Sequence, residues 1–314
     1  MQRPALSILV IGSLLAGATE VVDQEAEDVE NDVIPTGAST IRAPNQGRPE
    51  KKTVGEPTII GGDAADQNEW PWQAWLSESD DRFFCGAVLI DREYVLTAAH
   101  CVCNDWEFIE GKNKCTVSRS YRVHLGDWRM ADNDGTEVVA QSKDYFVHHK
   151  IRDIAVLRIP PVTLSNAIQP IPMARFDPID GDSAWATGWG IWDSSSNTIP
   201  NTLQEIEYEV DRDNCPTLNG GVFGPLGERF YTCVITPEPG YQGICFGDSG
   251  GPLVEQTNDG EWQLLGVTSH GVNFGNCDNA DGYGMYTSVP KHRRWINQIV
   301  AGCTTRRCRR RQQI

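Results

Sequence analysis

Beyond residue 58 the chain alternates short apolar runs with clusters that favour turns. Apolar, β-type segments stand at 70–76, 84–90, 121–125, 154–159, 203–210, 263–268 and 285–289. Between them lie Asn133-Asp134-Gly135, Pro178, Asn219-Gly220-Gly221 and Asp259-Gly260, whose residues suit tight turns better than continued ladders. Runs this short, bounded this way, predict strands. Only residues 291–300 read as helical, with Trp295, Ile299 and Val300 at helical spacing. The expected fold is all-β, a sandwich or barrels, with one C-terminal helix and no internal repeat.

The first 58 residues follow a different pattern. Arg3 precedes an apolar run over 6–15, and Ala16-Gly17-Ala18 supplies small residues for cleavage, so residues 1–18 are expected to be a signal peptide. The run is far short of the ~20 residues that span a bilayer, and no later stretch reaches that length, so no transmembrane segment is expected. Residues 19–58 crowd Glu20, Asp23, Glu25, Glu27, Asp28, Glu30 and Asp32 ahead of Pro35, Pro44, Pro49 and Pro57. Such a segment buries too little apolar surface to offset its ordering entropy and is expected to be a propeptide. Its lack of cysteine, the first being Cys85, means no disulfide would hold it after cleavage.

Composition then narrows the function. With 27 basic and 43 acidic residues the formal charge is −16, which argues against binding nucleic acid or anionic membranes. Ten cysteines behind a secretory leader point to disulfides and an extracellular, secreted protein. The 30 Gly and 18 Pro fit many short strands.

Three constellations carry candidate chemistry. Thr97-Ala98-Ala99-His100-Cys101 places a His among small residues after an apolar run. Asp153-Ile154-Ala155-Val156-Leu157 places a carboxylate at the mouth of a strand, and Gly247-Asp248-Ser249-Gly250-Gly251-Pro252 places a Ser in a glycine-rich turn. Each alone is more often structural. Together in one secreted chain they supply what acyl transfer needs: a nucleophile, a base, and a carboxylate to orient the base. His124, His148, His149 and His292 sit in no such setting.

With Ile59-Ile60-Gly61-Gly62 and Ala186-Thr187-Gly188-Trp189-Gly190, these motifs make residues 59–302 resemble the chymotrypsin/trypsin-like serine peptidases. The resemblance implies two six-stranded antiparallel β-barrels, about 59–164 and 165–302, with the site between them. It implies Ser249 as nucleophile, His100 as base and Asp153 as its orienting partner, and an oxyanion hole from the N–H groups of Gly247 and Ser249. Cleavage before Ile59 would free an α-amine to pair with Asp248; the alternative is that Asp248 only shapes the turn. The residue before the cut is Thr58, so a non-tryptic or autolytic activation is expected. No cofactor is required for catalysis. Expected partners are protein or peptide substrates, an activating protease and protease inhibitors. The rival, a secreted binding protein that has lost catalysis on the same fold, normally lacks one of the three residues that this chain keeps.

The resemblance also pairs Cys85 with Cys101, Cys215 with Cys233 and Cys245 with Cys277. That leaves Cys103 with Cys115 across an inserted loop that borders the cleft or serves as a structural lid, and Cys303 with Cys308 in residues 303–314. Asp127, Asp134 and Glu137 are spaced as in a calcium loop, the alternative being a solvated acidic turn. The tail Arg306-Arg307-Cys308-Arg309-Arg310-Arg311 is either a solvated terminus or a contact for anionic glycans. The resemblance places the floor of the specificity pocket at Gly243, with Ile244 beside it as an apolar wall and Ser269, Gly271 and Gly284 also lining it. An open, uncharged pocket there is expected to favour apolar residues, in chymotrypsin-like or elastase-like fashion. His270 stands where the family often carries Trp, and residues 272–276 or Asp281 lie close enough in sequence to modify the mouth.

Overall fold

The computed structural model describes residues 62–109, 112–117, 120–133, 135–148, 152–191, 198–212, 230–236, 243–271 and 283–302. The expected leader, propeptide, Ile59 and Arg-rich tail lie outside these residues.

The all-β expectation holds. Strands β1 (Asp63–Ala64), β2 (Gln73–Ser77), β3 (Phe83–Asp91), β4 (Tyr94–Thr97), β7 (Arg122–Leu125), β8 (Val138–Gln141), β9 (Asp144–Val147) and β10 (Ala155–Arg158) precede β11 (Ser183–Gly188), β12 (Gln204–Val210), β13 (Tyr231–Ile235), β14 (Pro252–Gln256), β15 (Trp262–Gly271) and β16 (Gly284–Ser288). A hairpin of β5 (Asp105–Ile109) and β6 (Lys112–Thr116) fills the inserted loop between Cys103 and Cys115. All seven apolar runs are strands. Strands β1, β5, β6, β8, β9, β11, β13 and β14 lie outside those runs; β8 and β9 are edge strands with short buried faces, whereas β11, β13 and β14 are barrel strands that the pattern did not reveal.

Two antiparallel sheets carry the fold. The C-terminal sheet runs β12-β11-β14-β15-β16-β13 and closes on itself through β12–β13, a six-stranded barrel with β1 added at β12. The N-terminal sheet runs β8-β7-β2-β3-β4-β10-β9, seven strands curled as a half-barrel rather than six in a closed ring. Each sheet encloses a core: Leu76, Leu89, Val123, Leu125 and Leu157 in the first, Ile206, Tyr208, Val234, Leu253 and Tyr286 in the second. A third cluster spans the seam, where Trp70, Trp72, Val88, Leu96 and Ile154 meet Trp189, Leu203, Val254, Leu264 and Ile296. Trp70 stacks edge-on with Trp72 and Trp262 at 5.9 and 5.0 Å, and its indole N–H donates to Glu205 at 2.7 Å, so the largest apolar side chains fix one barrel against the other.

Two helices stand among the described residues. α1 (Ala99–Val102) is a single turn that follows β4, and α2 (Val289–Val300) closes the described chain. Ser288 caps α2 by accepting the Lys291 N–H, Pro290 occupies its first turn, and Ile296 and Ile299 turn inward.

Candidate active site

The small residues around His100 have a packing reason. Thr97, Ala98 and Ala99 are fully buried. A Cβ added at Gly250 would lie 2.2 Å from Thr97 Oγ1, 2.3 Å from Gly86 O and 3.1 Å from Ala98 N. The glycine-rich turn therefore packs directly on the β4–α1 junction. Gly86 N–H donates to Ser249 O at 2.7 Å, and Cys101 Sγ lies 3.7 Å from the same oxygen. The Cys85–Cys101 disulfide ties β3 to α1 at this point. The turn bearing Ser249 and the helix bearing His100 are thus brought together across the seam.

Asp153 completes the group. It is buried, with a positive φ of 37° that few side chains adopt and that Asp tolerates. Its Oδ1 accepts the His100 backbone N–H at 2.9 Å, and its Oδ2 lies 2.8 Å from His100 Nδ1. Because the carboxylate accepts only, Nδ1 carries the proton and Nε2 is left with its lone pair. β15 is bulged between Thr268 and His270, which turns the intervening Ser269 toward Asp153, and its hydroxyl donates to Oδ2. The Ser269 oxygen then accepts from His270 Nδ1 at 2.9 Å. Thr287 Oγ1 donates to the Asp153 carbonyl at 3.2 Å.

This surrounding sets the charges. Burial disfavours ionised Asp153, but the His100 charge and the hydrogen bonds from His100 and Ser269 outweigh it and hold its pKa below the ordinary value. Burial likewise works against charged His100, and the Asp153 charge and hydrogen bond overcome it, so its pKa is raised. The His100 side chain keeps 45% of its surface exposed, the Asp153 side chain 7%: one faces the cleft, the other the interior.

Ser249 is half-buried and its hydroxyl makes no hydrogen bond to His100. Gly247, at φ 103°, and Ser249 donate their backbone N–H groups to no acceptor among the described residues. Donors left open beside a Ser hydroxyl can face a developing negative charge.

Between them, Asp248 points the other way. Its carboxylate accepts Gly190 N–H at 2.8 Å and Cys245 N–H at 2.9 Å, and it is fully enclosed. Burial pushes its pKa up to about 6 against those two hydrogen bonds, and no described cation pairs with it. The expected partner, Ile59, lies outside the described residues.

The remaining expectations divide. Cys85–Cys101 and Cys103–Cys115 are disulfides. Cys233 and Cys245 are also disulfide-bonded, while Cys215, Cys277, Cys303 and Cys308 lie outside the described residues. Asp127 accepts the Trp75 indole N–H at 2.8 Å and Glu137 accepts Gly135 N–H at 3.0 Å. Asp134 lies outside the described residues, and among those described Asp127 and Glu137 gather into no common ligand group.

At the pocket, the nearest described atom to a Cβ added at Gly271 is Tyr283 O at 3.9 Å. Gly284 is closely packed: a Cβ there would meet Tyr286 at 2.9 Å and Val234 at 3.2 Å, so the open slot expected at both glycines is closed at Gly284. Ser269, expected on the pocket wall, spends its hydroxyl on Asp153. Residues 272–276 and Asp281 lie outside the described residues. His124 is stacked on Trp75 at 3.5 Å, and His292 bonds Ser288 O, both away from the site.

Sequence reasoning missed Gly188 and Gly190 as a cradle for Asp248, where added Cβ atoms would fall 2.1 and 2.2 Å from its oxygens. It also missed Tyr208 beneath Gly243. The Ala186–Gly190 motif carried the first signal; nothing in a strand's alternation marks the second.

Comparison with known proteins agrees with this geometry. The profile of the family described as Trypsin matches residues 59–296. The chain is 32% identical over 262 residues to chymotrypsin-C of Rattus norvegicus, covering 77% of this chain and 88% of that protein. It is 31% identical over 252 residues to a tryptase of Mus musculus, covering 77% and 88%. Against transmembrane protease serine 11G of Rattus norvegicus it is 33% identical over 246 residues, 76% of this chain but only 54% of that protein, so the chain spans about half of that relative's length.

Proposed function

The chain belongs to the trypsin family of serine peptidases, and from that premise we propose that it is a secreted serine endopeptidase, made as a zymogen and activated by cleavage before Ile59. The observation that carries this reading is the run Ser269–Asp153–His100 beside Ser249 and two N–H groups with no acceptor among the described residues. Ser249 Oγ attacks the scissile carbonyl as His100 Nε2 takes its proton. Asp153 keeps Nδ1 protonated and stabilises the imidazolium, and Ser269 holds Asp153 in place. The carbonyl oxygen, now negative, is met by Gly247 and Ser249 N–H; losing one such donor typically costs about 3 kcal/mol. His100 returns the proton to the leaving amine, and water repeats the sequence on the acyl-enzyme.

Activation follows from Asp248. A carboxylate enclosed without a cation is costly, and an incoming α-ammonium at Ile59 would restore its charge balance and hold the Gly247–Ser249 turn in shape. Gly243 and Ile244 supply no charge, which supports cleavage after apolar residues in chymotrypsin-like or elastase-like fashion. Protein substrates and protease inhibitors are the partners. Among the described residues no helix is long and apolar enough to cross a membrane.

A fluorophosphonate probe tests the reading. The processed protein should be labelled at Ser249 and the Ser249→Ala variant should not. A folded, processed chain that resists the probe would leave a binding protein on this fold.

A further inference from the structure

Gly243 is buried at φ 76°, and a Cβ placed on it would stand 2.5 Å from Tyr208 Oη. The space that a side chain at 243 would enter already holds a phenol hydroxyl. Tyr208 lies on β12, 1% exposed, and its oxygen accepts the Ile244 N–H at 2.9 Å. That bond uses the oxygen as acceptor and leaves the O–H proton to be donated. Tyr286 packs beside it, fully buried, with ring centroids 6.3 Å apart, and its hydroxyl interacts with Tyr208 and Thr268. Tyr208 therefore brings one proton to this base. Burial raises both pKa values well above the ordinary tyrosine value, so the pair is neutral at any working pH.

We propose that Tyr208 replaces the residue at 243 as the floor of the primary specificity pocket and selects a neutral side chain with a hydrogen-bond-accepting tip, tyrosine foremost. This rests on the reading of Gly243 as the pocket floor. An apolar tip such as Phe leaves a buried donor unmet, which is unfavourable. A Lys or Arg tip presents donors to donors with no anion at the floor. A carboxylate tip would accept from the phenol but would be buried at the floor without a cation beside it, which is costly.

The test uses the enzyme processed before Ile59 and matched peptides with Tyr or Phe before the scissile bond. Wild type should favour Tyr in kcat/KM by about three- to tenfold, the size of one neutral hydrogen bond. Tyr208→Phe, which removes the hydroxyl and keeps the ring, should abolish that preference, the Phe substrate gaining as the unmet donor is removed and the Tyr substrate losing. A Tyr:Phe ratio untouched by the substitution overturns the proposal. A second measurement needs no variant: p-cresol should inhibit wild type competitively at several-fold lower concentration than toluene, and equal inhibition overturns the proposal even if Tyr208→Phe fails to fold. Fluorophosphonate labelling separates the two levels. Unlabelled wild type defeats the peptidase reading and this inference together, whereas labelled wild type with a flat ratio defeats Tyr208 alone.

Discussion

Gly190 donates its N–H to Asp248 Oδ1 at 2.8 Å, and a Cβ on Gly190 would fall 2.2 Å from Asp248 Oδ2. The carboxylate fits only because residue 190 has no side chain. Its pKa of about 6, against an ordinary 3.8, makes the native state bind the proton more tightly than the unfolded chain. Stability therefore falls as pH rises, a penalty absent below about pH 4 and complete above about pH 6, on the order of 3 kcal/mol. Unfolding of the uncut protein and its Asp248→Asn variant should show wild type losing ground to the variant across that window. A difference independent of pH would contradict the enclosed, unpaired carboxylate. After cleavage before Ile59, the same difference should flatten, because an ammonium then meets the charge.

The acid limb of catalysis should report His100. Its raised pKa means that kcat/KM falls, as pH drops, through a midpoint above the ordinary 6.5, since only the neutral imidazole accepts the Ser249 proton. Asp153→Asn should move that limb down and cut the rate by roughly four orders of magnitude. His270, buried and held near 4, should not contribute, so His270→Asn should leave the midpoint in place. A wild-type midpoint at or below 6.5 would argue against the Asp153–His100 coupling.

Two glycines with nearly equal backbone angles should respond differently to the same change. Gly250 has φ 84° and would press a Cβ within 2.3 Å of Thr97 Oγ1 and Gly86 O, one of them backbone. Gly135 has φ 86° and nothing within 4 Å. Gly135→Ala should cost about 1–2 kcal/mol, the strain alone. Gly250→Ala should cost more than about 3 kcal/mol, because it also separates the nucleophile turn from the β4–α1 junction. Denaturant unfolding of both variants settles it, and equal losses would show that the close approach is not needed.

Activation can be read directly. N-terminal sequencing of the active enzyme should begin at Ile59. A fully active enzyme beginning at Thr53, after Lys52, would leave six extra residues on the amine and contradict its pairing with Asp248.

Much of this protein follows from its one-dimensional pattern. Short apolar runs between turn residues are strands because a half-buried pleat needs only a few side chains on its inner face. Thr97-Ala98-Ala99-His100, Asp153 and Gly247-Asp248-Ser249 were legible because the chemistry demands particular residue types, and the glycines around Ser249 because packing there excludes Cβ atoms. The edge strands β8 and β9 were not, since few of their positions are buried, and neither were the barrel strands β11, β13 and β14, whose apolar positions do not stand out as runs.

Tertiary structure alone decided the rest. Ser269 looks like a pocket wall in sequence, yet the bulge in β15 aims its hydroxyl at Asp153, 116 residues away. Gly271 and Gly284 are the same residue type, yet among the described residues only the second has a side chain, the Tyr286 ring, pressed against the place of a Cβ. Tyr208 reads as an ordinary inward position of β12, and only barrel closure, with β12 pairing both β11 and β13, brings its hydroxyl beneath Gly243. Residue type and spacing carry chemistry and local conformation; which group fills which space depends on contacts between strands far apart in the chain, and those exist only once the barrels have formed.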